Sequence, residues 1–240
     1  MYRVDRNNFY ERQKKSTIQT PTGVSQFIYE LLHDKIDRAN KVLDPCVGEG
    51  SLLNPWKKSG FKVMGIDIEE QGFPGTRVRN YLTLTRRDIR DTPGLVVMNP
   101  PFNIDPKTKK HLVEAYGGRP LLPEVWLQKA IELFGKSIPI VLFTPYGLRL
   151  NQTMQSKRWC KFADGAYPEI CSIISLPKDI FNGILFHSEI LIFNIKGLKG
   201  HYFYNGEIER IAAKQRAAQA EKRRVKDGRQ RVVQSNGRLC

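Results

Sequence analysis

Short apolar runs separated by segments of helical spacing dominate the first 200 residues of the chain. Lys41–Asp44, Lys62–Ile68, Leu95–Met98, Ile138–Phe143, Ile170–Leu176 and Ile190–Ile195 are rich in Val, Ile, Leu, Met and Phe. Strands buried on both faces read as such runs, whereas a strand with one wet face alternates. Tyr81–Thr85 is a weaker run that would complete a set of seven. Ser25–Ile36 and Glu124–Phe134 repeat apolar residues every three or four positions, which predicts helices. Strands alternating with helices predict an α/β domain with a mainly parallel sheet. The segment Pro177–Ser188 between the last two runs is too short for a crossover helix, so the final strand is expected to be antiparallel.

Two stretches break the pattern. Residues 102–123 form a long polar segment with Pro106, Gly117, Gly118, Pro120 and Pro123, and loops of that length in a compact domain usually carry function. After Gly200 the chain becomes rich in Ala, Lys and Arg, with ten Lys or Arg against four Asp or Glu from His201 to Cys240. Ile208–Gly228 in that tail favours a helix with little apolar area to bury, and is expected to contact phosphates. The expected organisation is an N-terminal basic arm at 1–19, a catalytic domain at 20–200 and a basic helical tail at 201–240.

Charge narrows the partners. The 240 residues carry 39 Lys and Arg against 24 Asp and Glu, a formal net charge of +15, which points to a polyanion such as nucleic acid. No apolar stretch is long enough to span a bilayer and the first residues lack an apolar signal core, so a cytoplasmic protein associated with the nucleoid, with no membrane partner, is expected. Cys46, Cys160, Cys171 and Cys240 show neither C-x-x-C pairing nor a His at ligand spacing, and no metal site or disulfide framework is expected.

Three constellations carry chemistry. Asp44-Pro45-Cys46-Val47-Gly48-Glu49-Gly50 follows the first strand, and its glycines let backbone approach a ligand closely. Its spacing is neither G-x-G-x-x-G nor a P-loop. Gly65-Ile66-Asp67-Ile68-Glu69 puts a carboxylate at the end of the next strand, where it can accept both hydroxyls of a ribose. Asn99-Pro100-Pro101-Phe102 follows Leu95–Met98, and two prolines there remove backbone donors and leave outward carbonyls. The Asn99 side-chain oxygen and the Pro100 carbonyl would make a pair of acceptors for one amino group, beside an aromatic ring that can stack on a base.

DPCVGEG, GIDIEE and NPPF, in that order, resemble motifs I, II and IV of the DNA N6-adenine amino-methyltransferases. Gln19-Thr20-Pro21-Thr22 matches the segment that precedes motif I in the gamma arrangement, and IISLPKDIF followed by SEILIF resembles the later motifs. The likeness covers Thr20 to Lys196. It implies a Rossmann-like seven-stranded methyltransferase sheet with an antiparallel last strand, and S-adenosylmethionine as methyl donor. By the same resemblance, Thr20 and Thr22 face the donor's methionine end, and Asp44, Cys46, Gly48 and Gly50 line its loop. Asp67 takes the ribose, Ile68 is a further donor-binding residue, and Asp88 binds the donor's adenine amino group. Asn99, Pro100, Pro101 and Phe102 form the catalytic site. Phe181 covers the other face of the target base, with Phe186 and Tyr146 as rivals.

The chemistry of the target explains why these residues suffice. An adenine amino nitrogen is a poor nucleophile because its lone pair is delocalised into the ring. Two acceptors on its N–H groups favour a tetrahedral nitrogen and stabilise the charge that develops during in-line transfer. A duplex base must flip out to reach them. DNA is the expected substrate; RNA is the nearest alternative, and a donor-binding nucleic-acid protein without turnover is another. A protein-glutamine methyltransferase fits less well, since Phe follows Asn-Pro-Pro and the charge favours phosphate. Gamma enzymes carry a large recognition domain, whereas about 40 residues follow the matched region here. Target specificity is therefore expected to be low, to come from residues 102–123, or to be supplied by a partner subunit of a restriction-modification system.

Overall fold

A computed structural model describes residues 19–102, 121–150, 152–181 and 187–211, together with Lys110 and Glu114. The chain divides into two units, Met1–Tyr204 and Asn205–Cys240. The first unit holds an eight-stranded sheet. Its strands are β1 (Lys41–Asp44), β2 (Lys62–Asp67), β3 (Arg77–Val78), β4 (Leu95–Met98), β5 (Ile140–Pro145), β6 (Ile170–Ser175), β7 (Ser188–Phe193) and β8 (His201–Phe203). Their spatial order is β3-β2-β1-β4-β5-β7-β6-β8. All neighbours are parallel except β7, which runs antiparallel to both β5 and β6. The expected sheet with an antiparallel final strand is thus present, with one further strand at its edge.

Side chains alternate across a strand, and that period divides the core in two. Val42, Val97, Val141, Phe143, Ile190 and Ile192 point to one face, against Val24, Ile28, Leu32 and Trp56. Leu43, Val96, Met98, Ile140, Leu142, Leu191 and Phe193 point to the other, against Leu127, Ala130 and Leu133. The first face is covered by α1 (Thr22–Leu32) and α2 (Asn54–Lys58), the second by α3 (Leu122–Phe134). Val24, Ile28 and Leu32 recur every four residues of α1 and are fully buried, each worth about 1.5–3 kcal/mol. A short helix, α4 (Lys157–Ala163), is capped by the Ser156 hydroxyl, which accepts from the Trp159 N–H at 3.1 Å.

Two strands differ from the expectation. Tyr81–Thr85 is no strand: Tyr81–Thr83 is a 3₁₀ turn, capped by the Asn80 side chain, which accepts from the Leu82 N–H at 3.0 Å. Tyr81 and Leu84 are both buried, and their three-residue spacing suits one helical turn rather than an extended strand. The third strand is instead Arg77–Val78, just upstream. His201–Phe203, expected in the helical tail, is the eighth strand and pairs with β6, the His201 ring hydrogen-bonding the Ser175 hydroxyl at 2.8 Å.

In the second unit, Glu207–Ile211 is helical, and the Asn205 side chain accepts from the Glu207 N–H at 3.0 Å. The remainder of the expected helix Ile208–Gly228, the 1–18 arm and most of 102–123 lie outside the described residues. Among the described residues, no helix is long and apolar enough to cross a membrane.

Candidate active site

The carboxyl ends of β1, β2 and β4 bring the three sequence constellations together. After Asp44 the chain turns sharply, and its loop is pinned to β2 by the Val47 N–H on the Ile66 carbonyl at 3.0 Å. One residue on, the Gly48 N–H donates to the Asp67 carboxylate at 2.8 Å. The other Asp67 oxygen accepts from the Glu69 N–H at 3.3 Å and from the Gln71 amide at 3.4 Å. A carboxylate has about four lone-pair sites, so these three bonds leave acceptor capacity on Asp67.

Both glycines of the loop are required. Gly48 has φ +52° and Gly50 φ +83°, left-handed values that L side chains rarely adopt. A Cβ on Gly50 would stand 2.0 Å from the Phe73 ring. A Cβ on Gly48 would lie 3.6 Å from the Gln19 amide, so Gln19 flanks the open side of the loop.

Burial sets the electrostatics. Asp44 is 1% exposed, its carboxylate accepts from the Cys46 N–H at 3.0 Å, and burial pushes its pKa up to about 7. The Cys46 thiol is raised well above its ordinary value, first by burial and then by the neighbouring Asp44 charge. The Asn99 backbone pulls that thiol back only in part. Cys46 therefore stays a thiol and acts as a packing contact between the loop and the end of β4.

Asn99 follows β4 directly. Its Nδ2 donates to the Thr20 hydroxyl at 3.1 Å, joining positions 79 residues apart. Thr20 is 7% exposed and precedes α1, which starts where the Ser25 N–H reaches the Pro21 carbonyl at 3.1 Å. With Nδ2 engaged, the Asn99 Oδ1 is left as an acceptor. Pro100 is buried, Pro101 and Phe102 half-buried. Phe102 packs on the hydrophobic cluster that contains Phe181.

Other expected residues stand apart from this cluster or differ in character. Thr22, the first residue of α1, is exposed, and so is Ile68 at 66%. Phe181 is buried at 3%. Tyr146 is 45% exposed at the end of β5, edge-on to the His187 ring at 5.8 Å. Phe186 lies outside the described residues.

Asp88 is not brought to the site. Its carboxylate accepts from the Thr85 N–H and hydroxyl, both at 2.7 Å, and it lines a hollow that includes Lys41, the first residue of β1. Past the carboxyl end of β3 come Arg79, whose N–H bonds the Asp67 carbonyl at 2.7 Å, and then Asn80. The sequence reading set the third strand four residues too late and so did not consider Asn80. A turn-forming Asn after the short Arg-Val-Arg segment was the available signal. Among the described residues, no group of three or more His, Cys, Asp or Glu is placed to hold a metal.

No protein-family model matches the sequence, and no curated protein matches it. Solved structures do. A type I restriction-modification methyltransferase subunit from Streptococcus thermophilus aligns with TM-score 0.57 at 16% identity, over 77% of this chain and 46% of that one. The type IIG restriction endonuclease BpuSI aligns with TM-score 0.58 at 18% identity, over 78% and 26%. A Listeria monocytogenes protein assigned to the class I S-adenosylmethionine-dependent methyltransferases aligns with TM-score 0.58 at 16% identity, over 81% and 68%. The chain spans less than half the length of the first two. The sheet has the Rossmann-like fold of S-adenosylmethionine-dependent methyltransferases.

Proposed function

We propose that this chain transfers a methyl group from S-adenosylmethionine to the N6 amino group of adenine in DNA, the target base being flipped out of the duplex. The observation that carries the reading is the Asn99–Thr20 hydrogen bond. It engages the amide nitrogen and, among the described residues, leaves the amide oxygen as an acceptor for an amino group. The restriction-modification likenesses and the +15 charge favour DNA as the substrate.

The donor fits residues present at the strand ends. Asp67 retains acceptor capacity for a ribose diol, the loop Asp44–Gly50 offers backbone without side-chain bulk at Gly48, and Asn80 is assigned to the adenine edge in place of Asp88. Thr20, Thr22, Cys46, Gly50 and Ile68 complete the donor's surroundings in this reading. When bound, S-adenosylmethionine supplies an electrophilic methyl on a cationic sulfur. Asn99 Oδ1 and the Pro100 carbonyl accept the two amino N–H groups, which raises electron density on the nitrogen and stabilises its developing charge. Pro101 fixes the turn, and Phe102 offers a stacking face to the base. Phe181 is buried, so covering the second base face requires it to turn outward; Tyr146 is already exposed for that task. The likeness to a methyltransferase subunit of a restriction-modification system supports a partner subunit that supplies sequence recognition.

Asn99→Ala tests the assignment. It removes an acceptor that acts mainly in the transition state, so donor binding persists while methyl transfer falls by about 100-fold or more. Wild-type turnover in this variant contradicts the proposed chemistry.

A further inference from the structure

The β3 edge of the sheet carries a concentration of arginine that the proposed methyl-transfer site does not use. Between Arg77 and Asp91 the chain has five arginines, two aspartates and no lysine or glutamate. Arg77, Arg79, Arg86, Arg87 and Arg90 are all exposed. Arg77 opens the edge strand and Arg79 directly follows it. The chain then turns through Tyr81–Thr83 and comes back with Arg86, Arg87 and Arg90 toward the start of β4.

Among the described residues, one of these arginines has side-chain partners within the chain. Arg86 donates to the Ile89 carbonyl and to the Thr92 hydroxyl, and lies over the Phe134 ring at 5.9 Å. The two acids are also engaged. Asp91 pairs with Lys41 at 3.0 Å, and Asp88 accepts from Thr85. Among the described residues, no carboxylate stands within ion-pair distance of Arg77, Arg79, Arg87 or Arg90. Arg77 and Arg90 join Lys41, Met64, Asp88, Ile89 and Asp91 around a hollow of about 260 Å³.

We propose that this edge is a second DNA-contact surface, at which Arg77, Arg79, Arg87 and Arg90 bind backbone phosphates of the duplex outside the methyl-transfer site. The proposal rests on the nucleic-acid substrate of the preceding section but adds a surface that section does not require. Arginine suits phosphate because its planar fork donates two parallel hydrogen bonds to paired oxygens. A protein partner is disfavoured by composition. Protein interfaces bury an apolar or aromatic centre, and the one large hydrophobic exposed within this stretch is Val78, at 50%. The surface also has a direction. The hollow lies at Lys41, where β1 begins, and Arg79 stands beside Asp67, where β2 ends. The arginines thus run along the β3 edge from the amino ends of the strands toward the carboxyl ends where Asn99 lies, and phosphate contact along them would fix duplex orientation without reading sequence.

The test compares wild type with the quadruple variant Arg77→Gln, Arg79→Gln, Arg87→Gln, Arg90→Gln. A control of equal charge change carries Lys58→Gln, Lys157→Gln, Lys196→Gln and Lys199→Gln, all exposed and outside Arg77–Asp91. Fluorescence anisotropy with a 25-base-pair duplex is read across a salt series. Each phosphate contact contributes roughly 0.9 to the slope of log affinity against log salt, so the arginine variant should lose about two to four units of slope. It should bind at least roughly tenfold more weakly at about 0.1 M salt, with the control near wild type. Binding of S-adenosylhomocysteine, measured by calorimetry, should be unchanged. If the quadruple variant unfolds, Arg87→Gln and Arg90→Gln singly should each lower the slope by about one.

A slope equal to wild type in the arginine variants overturns this surface while leaving the methyltransferase assignment standing. An equal loss in the control overturns it too, since general charge would then be the cause. So does arginine-dependent binding of polyglutamate or of single-stranded RNA that is tighter than duplex binding. Failure of wild type to bind DNA at any salt would remove the substrate assignment itself.

Discussion

Thr20→Val keeps the shape of a buried side chain and deletes the hydroxyl that accepts from Asn99 Nδ2 at 3.1 Å. A neutral hydrogen bond is worth about 0.5–1.5 kcal/mol net, and leaving the half-buried Asn99 donor without this partner raises the cost to about 1–3 kcal/mol. The amide relieves that loss by rotating Nδ2 toward another acceptor, and Oδ1 then turns away from the incoming amino group. Because the acceptor is needed in the transition state, the penalty falls on the chemical step, and about 1.4 kcal/mol is a factor of ten. Methyl transfer should slow by about 5- to 150-fold. Single-turnover rates at saturating donor and DNA isolate that step from any loss of donor affinity. Thr20→Ser retains the hydroxyl and should recover most of the rate. A valine variant with the wild-type rate, or a serine variant as slow as valine, would show that Thr20 does not orient Asn99.

Asp67→Ala should weaken donor binding by about 1–3 kcal/mol, read by calorimetry, and unchanged affinity would remove Asp67 from the ribose contact. Asp44 has a folded pKa of about 7 against an ordinary 3.8, so the folded state holds the proton more tightly than the unfolded chain. Its contribution to stability is complete below about pH 4 and declines as pH rises toward 7, a loss of about 3 kcal/mol between pH 5 and 8. Urea unfolding should show that decline in wild type and not in Asp44→Asn; parallel profiles would refute it. Glu124 on α3 is 5% exposed, accepts from Arg158 of α4 at 2.7 Å and from the Tyr167 hydroxyl at 2.9 Å. Arg158→Met leaves that buried carboxylate with Lys161, at 3.9 Å, as its one remaining described cation and should cost about 1–3 kcal/mol, with partial recovery in the double variant carrying Glu124→Gln. Equal stability of Arg158→Met and wild type would deny the pair a structural role.

Legibility in the sequence followed burial. β4, β5 and β7 lie under helices on both faces, so every turn of the strand demands an apolar residue and the runs stand out. β3 and β8 are edge strands of two and three residues, mostly exposed, and nothing in Arg-Val or His-Tyr-Phe marks them. Tyr81 supplied the misleading signal: its burial anchors a single turn beside the sheet, yet reads as a strand position. That shift carried Asp88 into the expected donor site and passed over Asn80. Asp44, Asp67 and Asn99 were legible because each ends a run that the core makes unmistakable. The Thr20–Asn99 bond was not, since 79 residues separate its partners and only the sheet brings them together. Phe181 could be named as an aromatic between the last two apolar runs, but its packing into the core has no local signature.

Adenine methylation is read directly by incubating the purified chain with S-adenosylmethionine labelled in its methyl group and with duplex DNA of mixed sequence. The DNA is then digested to nucleosides and the labelled product identified by mass spectrometry. N6-methyldeoxyadenosine that forms with wild type and not with Asn99→Ala is the predicted result. Label found on cytosine, label in RNA but not in DNA offered alongside it, or no transfer by a chain that binds the donor would contradict the account.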